Sequence, residues 1–236
     1  MQLKIMSYNV LHCENYITKK IDFDSFANVI KESGADIIGL NEVRGKGLIP
    51  GYTAQAKALA ERLGYHFYFA RAIYVGGTSA YGNALLSRYP IKSAETIMIP
   101  DPETRTGSES YETRCVLKAE IDVTGGLNVL VTHFGLNPDE QINAVNTVCE
   151  NLSDSRCVLM GDFNVTPDNC VLLPIKERMC DTAQYFGCDK FSFPSDKPKI
   201  KIDYMFTSKD ISVLCADIPE IILSDHRPYV AEIDVD

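Results

Sequence analysis

Apolar runs along this chain are short, and turn-forming residues interrupt them often. Residues 3–9 read as a strand. Residues 22–33 place Phe23, Phe26, Ala27 and Ile30 on one face of a helix, with Gly34 as its terminator. Residues 37–40 form a brief all-apolar run between polar residues, the mark of a buried strand. A second helix over 54–63 closes at Gly64. From 65 to 99, strand-like pieces alternate with Gly and Pro, and Tyr65, Phe67 and Phe69 alternate with His66 and Tyr68 as in a sheet. Runs at 113–123 and 127–132 flank Gly125-Gly126, a hairpin signal. Asn137-Pro138-Asp139-Glu140 opens a third helix, with a capping residue, a first-turn proline and a capping-box glutamate. Strands at 156–160, 202–207, 211–215 and 228–233 follow. Many strands with three or four surface helices predict an α+β or α/β sandwich, helices outside two sheets. The stretch 100–112 is irregular and polar, a candidate mobile loop.

No repeat, low-complexity tract or linker divides the 236 residues, so a single domain over 1–236 is expected. No apolar run nears the roughly 20 residues that span a bilayer, and the first ten residues read as a strand rather than a signal peptide. Eight cysteines without a C-x-x-C pair fit reduced thiols in a cytoplasmic protein better than disulfides or a zinc site. The formal net charge of −9 disfavours tight, sequence-blind binding to long duplexes, though a nucleic-acid substrate stays open. No partner chain is called for, and a monomer is expected.

Chemistry collects where apolar runs end. Asn9, Glu42, His133, Asp162 with Asn164, Asp203, and Asp225 with His226 all lie at strand ends, where rigid scaffolds place sites. Carboxylates suit a hard divalent cation, Mg²⁺ foremost with Mn²⁺ as a substitute. Asn and His can donate to phosphate oxygens. A carboxylate free of metal can align water. Taken singly, each residue has a plainer use: Asn9 as a turn former, Glu42 as a solvated carboxylate, Asp162 and Asn164 as an Asx-turn, Asp225 as a partner for Arg227. Their joint occurrence, in order, outweighs these readings.

The motifs SYNVL (7–11), NEV (41–43), YGNALLSRYPI (81–91), THFG (132–135), GDFNVTP (161–167), KIDYMF (201–206) and SDHRPYVAEI (224–233) together resemble the endonuclease/exonuclease/phosphatase superfamily. The resemblance spans essentially the whole chain. It implies a four-layer α/β/β/α sandwich, two packed mixed β-sheets with helices on the outer faces, and a metal-dependent phosphoesterase. By the same resemblance, Glu42 is the principal metal ligand, with Asn9 and Asp225 beside the metal. His133 contacts the phosphate or protonates the leaving oxygen. Asp162 positions or deprotonates the attacking water, Asn164 and His226 bind the phosphate, and Asp203 orients His226. Arg114, in YETR, resembles a less constant arginine near the phosphate, and Asn83 is a further possible pocket residue. The leading substrate is a phosphodiester, a nucleic acid among the options. A phosphomonoester and a lipid or sphingomyelin-type diester are the alternatives, with a catalytically silent binding module as the contrasting class.

Overall fold

Alternation along the strands sets the layering of the molecule. In the computed structural model, which describes residues 1–236, the elements run β1 (Gln2–Asn9), α1 (Phe23–Ser33), β2 (Ile37–Arg44), α2 (Gln55–Leu63), β3 (His66–Val75), β4 (Ser79–Ser87), β5 (Ile91–Met98), β6 (Cys115–Ile121), β7 (Leu127–His133), α3 (Pro138–Asn151), β8 (Cys157–Asp162), α4 (Leu173–Arg178), β9 (Cys180–Asp181), β10 (Asp203–Thr207), β11 (Ser212–Asp217) and β12 (Tyr229–Asp234). One six-stranded sheet has the order β11-β12-β1-β2-β4-β3, and the other β5-β6-β7-β8-β10-β9. Each sheet holds one parallel pair, β1 with β2 and β7 with β8. Each parallel pair is joined through a helix, α1 or α3, as a parallel connection requires.

Odd positions of β1 and β7 face the other sheet, and even positions face helices. Leu3, Ile5, Val129 and Val131 join Val158, Met160 and Met205 in the inter-sheet core. Met6, Tyr8, Ile38 and Leu40 pack under Phe26, Ala27, Ile30, Ala56, Leu59 and Ala60 of α1 and α2. Leu130, Leu159 and Phe206 pack under Ala144, Val145, Val148 and Ile175 of α3 and α4. The four layers are therefore helix, sheet, sheet, helix. The sheets approach closely at Gly39, where an added Cβ would lie 2.7 Å from the Met160 sulfur.

The helix ends follow their sequence signals. Asp22 accepts a hydrogen bond from the Ser25 amide at 3.0 Å, and Gly34 closes α1 at φ +70°. Asn137 and Glu140 form a capping box on α3. The irregular stretch 100–112 is tied down there. Thr106 and Tyr111 donate to Asp139, and the Glu109 amide donates to Asn137 Oδ1. These bonds hold the stretch against the first turn of α3, which offers it carboxylate and amide acceptors.

Candidate active site

Where the inter-sheet core runs out, its strand positions continue as polar residues. Asn9 and Asn41 keep the phase of Ile5 and Ile37. His133 keeps the phase of Val131, Asp162 that of Met160, and Asp203 that of Met205. All five reach the same end because β1, β2, β7 and β8 finish there, and ligands in such sheets gather at the carboxyl ends of parallel strands. Glu42 is out of phase and should face the helices. A bulge corrects it: Leu40 pairs with Ala84 but Val43 with Gly82, so Asn41 and Glu42 oppose one residue, and Glu42 takes φ +59°. The bulge turns its carboxylate toward the pocket, as bulges beside active sites do. This bulge also lets β2 run on to Arg44, beyond the strand expected from residues 37–40.

The side chains meet through short contacts. Asn9 Nδ2 donates to Glu42 Oε1 and to Asp162 Oδ2, 3.1 Å each. Asp162 Oδ2 lies 3.5 Å from both His133 Nε2 and His226 Nε2. His226 Nδ1 donates to Asp203 Oδ2 at 2.8 Å, and Phe193 packs against the His226 ring at 4.8 Å. Asn164, at φ +52°, donates its side-chain amide to the Phe134 carbonyl and its backbone amide to Asp162 Oδ1, 3.0 Å each, leaving one amide N–H free. Gly161 is required here. At φ +147°, a Cβ would overlap the Thr132 carbonyl oxygen at 1.8 Å. Asp225 is half-buried and accepts from Ser224 Oγ at 3.1 Å.

Two histidines hold opposite charge states. Burial works against a charge on His226, but Asp203, Asp162 and Asp225 outweigh it and raise its pKa to about 10. His133 is buried too, and burial, Arg114 and His226 drive its pKa well below the usual value. Arg114 Nη1 lies 3.0 Å from His133 Nδ1. A guanidinium can only donate, so His133 is neutral and its proton sits on Nε2, facing Asp162. His133 can donate a hydrogen bond there but has no extra proton to release, which favours a phosphate contact over an acid. Burial also raises Asp162, partly offset by His226.

The arrangement fits a divalent cation. Glu42, Asp162, Asp203 and Asp225 crowd one pocket. Burial, with Glu42 adding to it, raises the pKa of Asp225 despite His226, and Glu112 is raised likewise despite Arg114. Asp203 Oδ1 is buried without a partner. One ligand atom each from Asp162, Asp203 and His226 falls within 4.8 Å of the others. Asp203 is nevertheless committed to His226, so Glu42 and Asp225 offer the freer carboxylate oxygens, with the Asn9 amide beside them.

Of the residues expected from sequence, Asn9, Glu42, His133, Asp162, Asn164, Asp203, Asp225 and His226 come together, and Arg114 joins them through His133. Arg114 Nη1 is engaged, with Glu112 Oε1 2.7 Å from it, while its Nε is buried without a partner. Asn83 lies elsewhere. It is buried between the sheets, accepts from Asn41 Nδ2 at 2.9 Å and donates to the Cys115 carbonyl at 3.0 Å, so its amide ties the sheets together beneath the pocket. Three neighbours went unassigned in the sequence. Asn41 accepts from the Asp162 amide at 3.0 Å, holding β8 against β2. Its place in the NEV motif, in phase with Ile37, is the signal that marks it. Tyr81 and His12 flank Glu42, His12 Nδ1 lying 3.6 Å from Glu42 Oε2.

The fold and order of motifs match known proteins over nearly the full length. The model of the endonuclease/exonuclease/phosphatase family matches residues 6–226. A family member from Beutenbergia cavernae superposes with a TM-score of 0.79 at 20% identity, over 99% of this chain and 72% of that one. One from Bacteroides vulgatus gives 0.77 at 19% identity, over all of both chains. A mannosyl-6-phosphatase from Bacteroides thetaiotaomicron gives 0.78 at 17% identity, over 98% of this chain and 99% of that one. Family match, four-layer fold and convergent acidic pocket agree, and the chain belongs to the endonuclease/exonuclease/phosphatase family of metal-dependent phosphoester hydrolases.

Proposed function

We propose that the protein is a magnesium-dependent phosphodiesterase in which water attacks phosphorus in line with the leaving oxygen. The reading rests on one observation, a cationic His226 whose Nδ1 is bonded to Asp203 while its Nε2 faces the pocket beside Asp162. His226 is held protonated by Asp203 at 2.8 Å, whereas Arg114 is engaged by Glu112 and His133. A diester phosphate carries one negative charge, so one protein cation and one metal ion suit it.

Glu42, with Asn9 and Asp225 beside it, would hold the divalent cation, which when bound neutralises charge on a phosphate oxygen. His226 donates Nε2–H to a non-bridging oxygen. Asn164 donates its free amide N–H to another. Asp162, fixed by Asn9 and by the Asn164 amide, orients the water and accepts its proton, a task to which its raised pKa suits it. His133 hydrogen-bonds its Nε2–H to the phosphate and keeps that proton, and the leaving oxygen takes its proton from solvent water. Asp203 keeps the His226 ring in one orientation and charge state. The net charge of −9 favours short or single phosphoesters, lipid head-group diesters included, over long duplex DNA. Eight free cysteines fit a cytoplasmic setting.

The second reading is a phosphomonoesterase, favoured by the likeness to mannosyl-6-phosphatase. Purified protein with Mg²⁺ decides between them. Bis(p-nitrophenyl) phosphate should turn over faster than p-nitrophenyl phosphate, and chelation should abolish both activities. Faster monoester turnover would reverse the assignment. Sphingomyelin, glycerophosphodiesters and short oligonucleotides, assayed in parallel, would then narrow the leaving group.

A further inference from the structure

Three consecutive residues without a glycine among them, Leu11, His12 and Cys13, adopt left-handed backbone angles of φ 44°, 54° and 57° directly after Asn9. The turn is built rather than frayed. Leu11 N donates to Asn9 Oδ1 at 3.2 Å, and the amides of Cys13 and Glu14 return to Val10 and Leu11 at 2.8 Å each. Gln55 straps it to the strand that carries Glu42, donating to the His12 carbonyl at 2.5 Å and accepting from the Arg44 amide at 2.8 Å. The result points the His12 ring, backed by Tyr81 at 5.8 Å, toward Glu42.

His12 Nδ1 is buried from solvent, has no hydrogen-bond partner and lies 3.6 Å from Glu42 Oε2. That separation is too long for a hydrogen bond. It is close to what two ligands of one ion show, roughly 3.0–3.4 Å for bonds near 2.1 Å. Glu42 Oε1 is taken by Asn9, so Oε2 is the oxygen that faces His12 Nδ1, with the Tyr81 hydroxyl also on Glu42. No group of the protein serves His12 Nδ1 as a hydrogen-bond partner.

We infer that His12 is a nitrogen ligand to the cation held by Glu42, and that it strengthens binding of Mn²⁺ or a later transition-metal dication at this site more than it strengthens binding of Mg²⁺. The inference rests on the reading of Glu42 as the cation site. Mg²⁺ favours oxygen donors and keeps its waters, whereas imidazole binds Mn²⁺ and its later neighbours with rising affinity.

The test uses full-length protein stripped of metal. Calorimetric titration with MnCl₂ and with MgCl₂ would compare native protein, His12→Asn and Glu42→Gln. Asparagine tolerates left-handed backbone, so the turn is kept while the imidazole is removed. Pulsed electron paramagnetic resonance of the Mn²⁺ complex, with ¹⁵N-labelled histidine, reads nitrogen ligation directly and needs no catalysis. Native protein should show a histidine nitrogen coupling. His12→Asn should lose that coupling and at least about tenfold in Mn²⁺ affinity, given that even outer partners of a metal site cost this much. Mg²⁺ affinity should change less. A native complex without nitrogen coupling, or a His12→Asn protein that keeps both coupling and affinity, overturns the inference. If Glu42→Gln weakens Mn²⁺ binding while His12→Asn does not, the cation reading stands and only the role of His12 falls. If Glu42→Gln leaves Mn²⁺ binding intact, the cation reading falls with it.

Discussion

Replacing Asp203 by asparagine asks whether the charge on His226 carries the reaction. The change keeps shape, and the amide oxygen can still accept from His226 Nδ1, but the negative charge 2.8 Å away is gone. Two unit charges with centres about 4 Å apart interact by about 4 kcal/mol at an effective dielectric of about 20. At about 1.4 kcal/mol per pKa unit, that is about three units. Native His226 sits at about 10, with burial opposing its charge and Asp203 first among the groups that favour it. The variant should therefore titrate near pH 7. At pH 8.5 such a group is only about 3% protonated, so kcat/KM for bis(p-nitrophenyl) phosphate should fall about 30-fold there and far less at pH 6. A pH–rate profile with saturating Mg²⁺ and an imidazole NMR titration give two independent readings. Stability should move in step. A folded pKa above the unfolded value of about 6.5 stabilises fully below pH 6.5 and loses that contribution as pH climbs through the folded value. Native protein should lose it progressively from about pH 6.5 until about pH 10, and Asp203→Asn should have little left to lose above about pH 7, as thermal unfolding midpoints would report. An alkaline limb that does not shift refutes the reasoning. Higher alkaline activity in the variant would mean that neutral His226 is the base, and would displace Asp162 from that role.

Asp162→Asn should lower kcat/KM by roughly 10²–10⁴ with the circular dichroism spectrum unchanged, as loss of a general base does; near-native turnover would refute the site. Arg114→Ala removes the cation facing His133 Nδ1, so the His133 pKa should rise toward its ordinary value in an NMR titration, and an unmoved resonance would contradict the assigned neutral tautomer. Asn83→Leu should leave catalysis nearly intact but cost about 1–3 kcal/mol in urea unfolding, because the Cys115 carbonyl and one Asn41 donor bond lose their partner inside the molecule; a selective loss of kcat would instead restore Asn83 to the pocket.

How much of this was legible in the sequence depends on how local each signal is. The helix over 22–33 carried its own cap, apolar face and terminating glycine, and α1 follows them within a residue. Strand ends were legible because a polar residue beside an apolar run marks the edge of the core, and six such ends, carrying eight residues, marked one pocket. Strand 37–40 was read too short because Asn41 and Glu42 break the alternation, and no local pattern distinguishes a bulge from a strand's end. Helix α4 spans only Leu173–Arg178, too few residues for a periodic stripe. The pairing of Arg114 with His133 depends on the register of β6 against β7, where Val116 lies opposite Thr132. Register is a tertiary property, and composition around either residue says nothing of it. Asn83 shows the converse limit. Its motif lies beside the pocket, but its side chain points into the gap between sheets, where an amide can bond both.

The backbone itself distinguishes the site from its scaffold. Non-glycine residues with left-handed φ number seven, namely Leu11, His12, Cys13, Lys19, Glu42, Arg156 and Asn164. Five of these adjoin or form the pocket, and each costs on the order of 1–2 kcal/mol relative to an ordinary conformation. Packing for stability alone would place glycine at such positions, as the chain does at Gly34 and Gly64, where nothing but a helix end is at stake. At Glu42 and Asn164 a glycine would relieve the backbone and delete the carboxylate or the amide. The strain is thus carried where a side chain is needed in a direction that regular strands cannot give, and the rigid sheets on either side hold it there. The same reasoning applies to Leu11, His12 and Cys13, three adjacent residues whose turn buries Cys13 under α1 and sets one imidazole against Glu42.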